Sequence, residues 1–156
     1  QVAEIYGRPD SDDMAQETFD LCKEYNNAYL GLEANGEGAM VVNKVVQLGY
    51  GNHMYWRNPD SPSRRSPGWL TDAGTRPIML GELEEAVRMR RVVPRCLDTL
   101  SEMSSFIRNE NGRPEPAKGS YGDHVMAWAV MWQMRKHARW PSSVRGGRPV
   151  LLPRSS

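Results

Sequence analysis

"GLEANGEG", residues 31–38, is the stretch whose reading decides the fold. A short apolar run ends on the acid Glu33, and a glycine-bracketed turn leads into "AMVVNKVVQL". "AYLGLE" predicts a buried strand, and the apolar spacing after the turn predicts a helix over 37–48 that Gly49 stops. Two chemistries suit such a junction. It is either a loop that cradles a phosphate on a helix N-terminus, or a carboxylate held at a strand tip to bind a metal ion. The glycines at 31, 36 and 38 do not follow GxGxxG, and no GxxxxGK[ST] occurs in the chain. An acid at the mouth would repel a phosphate unless a cation stood between them, which favours the metal.

Outward from this junction, strands alternate with helices. "QVAEIYGR" reads as a strand, with Val2, Glu4 and Tyr6 on one side and Ala3 and Ile5 on the other. "PDSDD" supplies a helix start with Ser11 as N-cap, and the apolar positions from Met14 to Tyr25 predict a helix over 12–26. "HMYWR" (53–57) is a further strand, followed by a Pro- and Ser-rich surface loop. Helices are expected over 76–90, with Pro77 in the first turn, over 96–107, and over 122–137, the last apolar on nearly all sides. "NENGRPEPAKGSYG" between the last two is a loop or hairpin. The alternation makes the chain α/β. Only three clear strands are visible, few for a sheet that supports four or five helices.

The 156 residues form one domain able to bury a core. With 20 basic and 19 acidic residues, net charge points to no class of partner. The distribution says more: from Arg135 onward there are six basic residues and no acid, so 141–156 reads as a basic Pro/Gly/Ser-rich tail. Cys22 and Cys96 form neither a disulfide framework nor a zinc cluster; both fall in helix-like stretches and are expected as buried, reduced thiols. No apolar run approaches the roughly 18 residues of a membrane span, and no signal peptide opens the chain, so a soluble intracellular protein is expected.

Ligands of open α/β sheets gather beyond the C-terminal ends of strands, where Glu33 stands. A site for phosphate chemistry needs converging hard oxygen ligands. The best partner is Asp123 in "YGDHVMAWAVMW", which opens the last, apolar helix and is thereby planted at the rim of the sheet. His124 beside it is a candidate for a phosphate contact, whereas His53 and His137 read as structural.

"YNNAYLGLEANGEGAMVVNKVVQLGYGNHMYWR", then "GWLTDAGTRPIMLGELEEAV", then "GSYGDHVMAWAVMW" resembles, in that order, the nuclease domain of the large terminase subunit of tailed bacteriophages and prophages. The resemblance covers about residues 2–138 and makes 1–140 a terminase-type nuclease domain. It implies an RNase H-like mixed sheet flanked by helices, kin to Holliday-junction resolvases, with two divalent metals, Mg²⁺ or Mn²⁺, held by three acids. Glu33 matches the second acid and Asp123 the third. Where the family often carries His-Asp-Asp, this chain has Tyr121, Gly122 and Asp123. Nothing here occupies the place of the first acid, one strand and a turn ahead of "QVAEIYGR", so the resemblance implies a nuclease domain without its first strands and leaves open whether it cleaves alone.

The activity implied is cleavage of double-stranded DNA during genome packaging, in the cytoplasm of a bacterial host. Two metals about 3.5–4 Å apart would clamp the scissile phosphate, with Glu33 and Asp123 as catalytic ligands. Asn35, Arg57, Arg64, Arg65, Arg76 and His124 are the candidate DNA contacts, giving salt-sensitive, sequence-tolerant binding. The implied partners are the terminase ATPase motor, the small terminase subunit and the portal, with self-association through an exposed sheet flank and no membrane. The alternative is a non-catalytic DNA-binding or assembly fragment docking on the motor or portal.

Overall fold

The chain folds as a mixture of helices and small two-stranded sheets, within the general α/β class. A computed structural model describes residues 1–7 and 9–138, and the basic tail expected over 141–156 lies outside the described residues. Asp10, rather than the expected Ser11, caps the first helix, α1 (Ser11–Glu24). Its backbone is extended, with φ −67° and ψ 171°, and its carboxylate accepts from the N–H groups of Asp12 and Asp13 at 2.8 and 2.9 Å. Ser11 is already helical. Helix α2 (Gly38–Gln47) follows, and Gly49 ends it in the left-handed conformation at φ 89°.

A one-turn 3₁₀ segment, Tyr50–His53, leads to strand β1 (Trp56–Arg57), which pairs antiparallel with β2 (Ser66–Pro67). The expected surface loop is thus the turn of a hairpin. Then come α3 (Thr75–Arg88), α4 (Leu97–Ser105), a hairpin of β3 (Phe106–Arg108) and β4 (Pro114–Pro116), and α5 (Asp123–Met134). The segment around Glu33 adds two parallel bridges, Leu30 to Met54 and Glu33 to Trp69. They are closed by bonds from Leu30 N to His53 O at 2.9 Å and from Trp69 N to Leu32 O at 2.7 Å.

Side-chain alternation along these short extended pieces separates two helical layers. Leu30, Leu32, Ala34, Met54 and Trp56 pack on the cluster of Ala15, Cys22, Val42, Val45 and Tyr50, beneath α1 and α2. Tyr55 and Trp69 point the other way, onto the larger cluster built by α3 and α5 around Leu83, Trp128 and Ala129. Gly31 also lies on the α5 side, where a Cβ would come within 2.2 Å of the Met134 side chain. Period-two alternation of a buried strand is therefore kept although regular pairing is short. Trp56 and Trp69 are half-buried packing residues, and the Tyr50 hydroxyl donates to Ala28 O at 2.8 Å.

Residues 1–7, expected as a strand, join no ladder. They are held by side chains near the starts of α4 and α5: Gln1 accepts from Cys96 N at 3.1 Å, and Glu4 and Tyr6 both meet His124. The predicted pairing of Glu4 with Tyr6 on one side thus holds, but it serves side-chain contact and not a sheet. Both cysteines are free. Cys22 is buried, which pushes its thiol pKa up, whereas Cys96 is only half-buried and stands just ahead of α4.

Candidate functional site

The first N–H groups of α2 are engaged by the turn after Glu33. Gly38, Ala39 and Met40 donate to the carbonyls of Asn35, Gly36 and Glu37 at 3.0, 3.3 and 3.0 Å. The start of α2 is therefore closed on itself. Asn35, expected as a DNA contact, is also committed: its side-chain amide N–H donates to Thr71 O at 2.7 Å and its side-chain carbonyl accepts from Thr71 N at 2.8 Å. It ties the turn to the segment that carries Trp69, and so fixes the backbone on which Glu33 stands.

Glu33 instead faces α5. It lines a cleft of 550 Å³ together with Arg76 from the first turn of α3 and Asp123 from the first turn of α5, over an apolar wall that includes Met126 and Val130. Glu33 is half-buried and Asp123 exposed. Neither carboxylate enters any of the ion pairs found among the described residues. Two acids and a guanidinium thus share one open concavity, an arrangement suited to a divalent cation that keeps waters and takes phosphate oxygens as further ligands. Among the described residues no group of three or more His, Cys, Asp or Glu gathers in a metal-binding arrangement.

Gly38 fixes the acid's position from behind. A Cβ there would stand 2.3 Å from the Glu33 carbonyl oxygen, a backbone atom that cannot swing aside. Gly38→Ala is therefore expected to lower stability by about 1–3 kcal/mol, the range of an overpacked site. The change should appear as a lower urea midpoint with an unchanged slope. An unchanged midpoint would show that the turn yields freely.

The other expected contacts scatter. The Arg57 guanidinium donates to Ser66 Oγ at 2.8 Å across the β1–β2 hairpin, and the Arg65 guanidinium lies over the Trp56 ring at 4.2 Å. Arg64 is exposed in the hairpin turn. None of these three lines the cleft, whereas Arg76 does. His53 and His137, both exposed, lie against the rings of Tyr50 and Tyr55 and do not line the cleft.

His124, expected as a phosphate contact, is buried and points away from solvent. Its Nδ1 lies 2.7 Å from Glu102 Oε1 and its Nε2 2.6 Å from Glu4 Oε1, with Tyr6 stacked on the ring at 5.1 Å. Burial works against the imidazolium, but the two carboxylates together outweigh it and hold the His124 pKa above its ordinary value. With both nitrogens donating to carboxylates, no ring atom is left for a phosphate. Glu102 also accepts from the backbone N–H groups of His124 and Val125 at 2.9 and 3.3 Å. A side chain of α4 thereby caps α5, whose own flanking Gly122 has none to offer. No sequence signal links Glu4, Glu102 and His124; only the packing of α4, α5 and the leading segment brings them together.

No protein-family model, curated protein or solved structure matches the chain. No helix among the described residues is long and apolar enough to cross a membrane.

Proposed function

We propose that the chain is the metal-dependent endonuclease part of a terminase-type large subunit, with an RNase H-like arrangement behind its active cleft. The observation that supports this reading is that Glu33 and Asp123, distant in sequence, open onto one cleft beside Arg76. Mg²⁺ or Mn²⁺ bound by the two carboxylates would supply Lewis-acid activation of a phosphodiester and of the attacking water. The chain's own groups do the rest. Arg76 balances the charge of the incoming phosphate, the wall of Met126 and Val130 limits water on one side, and the Asn35–Thr71 pairing keeps Glu33 in place. Double-stranded DNA is the substrate, and the ATPase motor, small terminase subunit and portal are the partners that a packaging nuclease works with.

Supercoiled plasmid incubated with the chain and Mn²⁺ is expected to become open-circular, and to stay intact in EDTA. Calorimetric titration with Mn²⁺ should show binding that Glu33→Gln weakens. Intact plasmid together with no Mn²⁺ uptake overturns the reading.

A further inference from the structure

Arg76 lines not only the carboxylate cleft but also a second cavity of 260 Å³ beside it. That cavity lies between the first turn of α3 and the β3–β4 hairpin, and its other charged groups are Arg113 and Glu115. Arg113 is exposed at the hairpin turn, where its backbone is held by Asn109: the Arg113 N–H donates to Asn109 Oδ1 at 3.0 Å and the Asn109 N–H donates to Arg113 O at 3.0 Å. Asn109 Nδ2 also holds Glu115 Oε2 at 2.8 Å. Neither Arg76 nor Arg113 enters an ion pair among the described residues. By contrast Arg108, on the same hairpin, is tied to Glu84 at 2.8 Å. Two guanidiniums outside the ion pairs, of which Arg76 is shared with the carboxylate cleft, and one carboxylate line the cavity, a basic excess that suits a phosphodiester.

We infer that this cavity is a phosphate seat, in which Arg76 and Arg113 hold the DNA backbone next to the phosphate that a metal held by Glu33 and Asp123 would take. The inference rests on the nuclease reading and assigns the β3–β4 hairpin a task in it. Arg113 positions the strand, and Arg76, shared by both cavities, links the seat to the cleft. Guanidiniums suit this because their planar fork meets two phosphate oxygens at once. The contact carries no base information, so binding is tolerant of sequence.

The test is fluorescence anisotropy with a labelled 20-base-pair duplex in EDTA, over a series of salt concentrations, using the full chain. Arg113→Gln and Arg76→Gln are each expected to weaken binding by about three- to tenfold. Each should also flatten the plot of log affinity against log salt by about 0.9, the loss of one phosphate contact. Arg91→Gln, beyond the C-terminal end of α3, should change neither quantity. Because the Arg113 side chain makes none of the hairpin's backbone bonds, its variant keeps the fold, which a circular-dichroism melt checks. Duplex binding by Arg113→Gln with the parent's affinity and slope overturns the seat, even where the parent nicks plasmid. Binding by the parent that is lost as expected, without any nicking, leaves the seat standing and removes the nuclease. A parent that binds no duplex overturns the seat outright.

Discussion

Asp123→Asn is expected to lower Mn²⁺-dependent nicking of supercoiled plasmid by at least about a hundredfold while leaving the melting temperature within a few degrees of the parent. The rate effect follows from the charge removed. A metal ligand at the reacting phosphate is worth several kcal/mol of transition-state stabilisation, and each 1.36 kcal/mol is about tenfold. The small stability effect follows from position. Asp123 is exposed in the first turn of α5, and the N–H groups there are capped by Glu102, so an asparagine costs only part of a modest helix-dipole interaction. Glu33→Gln should behave alike, and the double variant should be little worse than either, because ligands of one site act as a unit. Nicking by Asp123→Asn at the parental rate, with the same Mn²⁺ dependence, would remove this residue from the chemistry.

Glu102→Ala has the largest expected effect on stability, a loss of about 3 kcal/mol, the lower end for an ion pair broken by deleting one buried partner. The lower end applies because the side chains of His124, Glu102 and Glu4 keep 10%, 14% and 25% of their exposure. For a domain of this length the melting temperature should fall on the order of 10 °C. The variant strips α5 of its cap and leaves His124 with one carboxylate in place of two. Glu102→Gln, which retains an acceptor for the backbone N–H groups, should lose less. A melt of Glu102→Ala that matches the parent would mean that water replaces the carboxylate without cost.

The same cluster sets a pH window. The His124 pKa is raised from its ordinary 6.5, so the folded state holds the proton more tightly than the unfolded chain does. Its contribution is complete below about pH 6.5 and fades as pH rises through the raised value. For Glu4, burial pushes the carboxyl up, but Cys96, His124 and Gln1 together bring it below its ordinary 4.5. That contribution is complete above about pH 4.5 and is lost as pH falls through the lowered value. The cluster therefore stabilises most between these limits. In Glu102→Ala the excess stability of the parent should shrink on the alkaline side, readable as converging urea midpoints.

The sequence by itself determined the helices and the glycine turn at "GLEANGEG". Apolar spacing places α1, α2, α3, α4 and α5 to within a few residues, because a helix buries its face by local periodicity and ends at local signals such as Gly49. The alternation that turns Leu32 to one layer and Glu33 to the cleft is likewise a property of the extended backbone, and it survives where regular pairing shrinks to two bridges. Only the tertiary structure decided the rest. Residues 1–7 alternate like a strand, yet partner side chains on α5, since a strand exists only where another backbone accepts its hydrogen bonds. His124 is an exposed-looking helix-start residue in sequence and the centre of a buried carboxylate pair in space, because Glu4 and Glu102 reach it from elements that no local pattern connects. Arg76 lines the cleft of the two acids while Arg57, Arg64 and Arg65 do not, for the same reason: charge type is written residue by residue, but convergence on one cavity is a consequence of how α3 and α5 pack against each other.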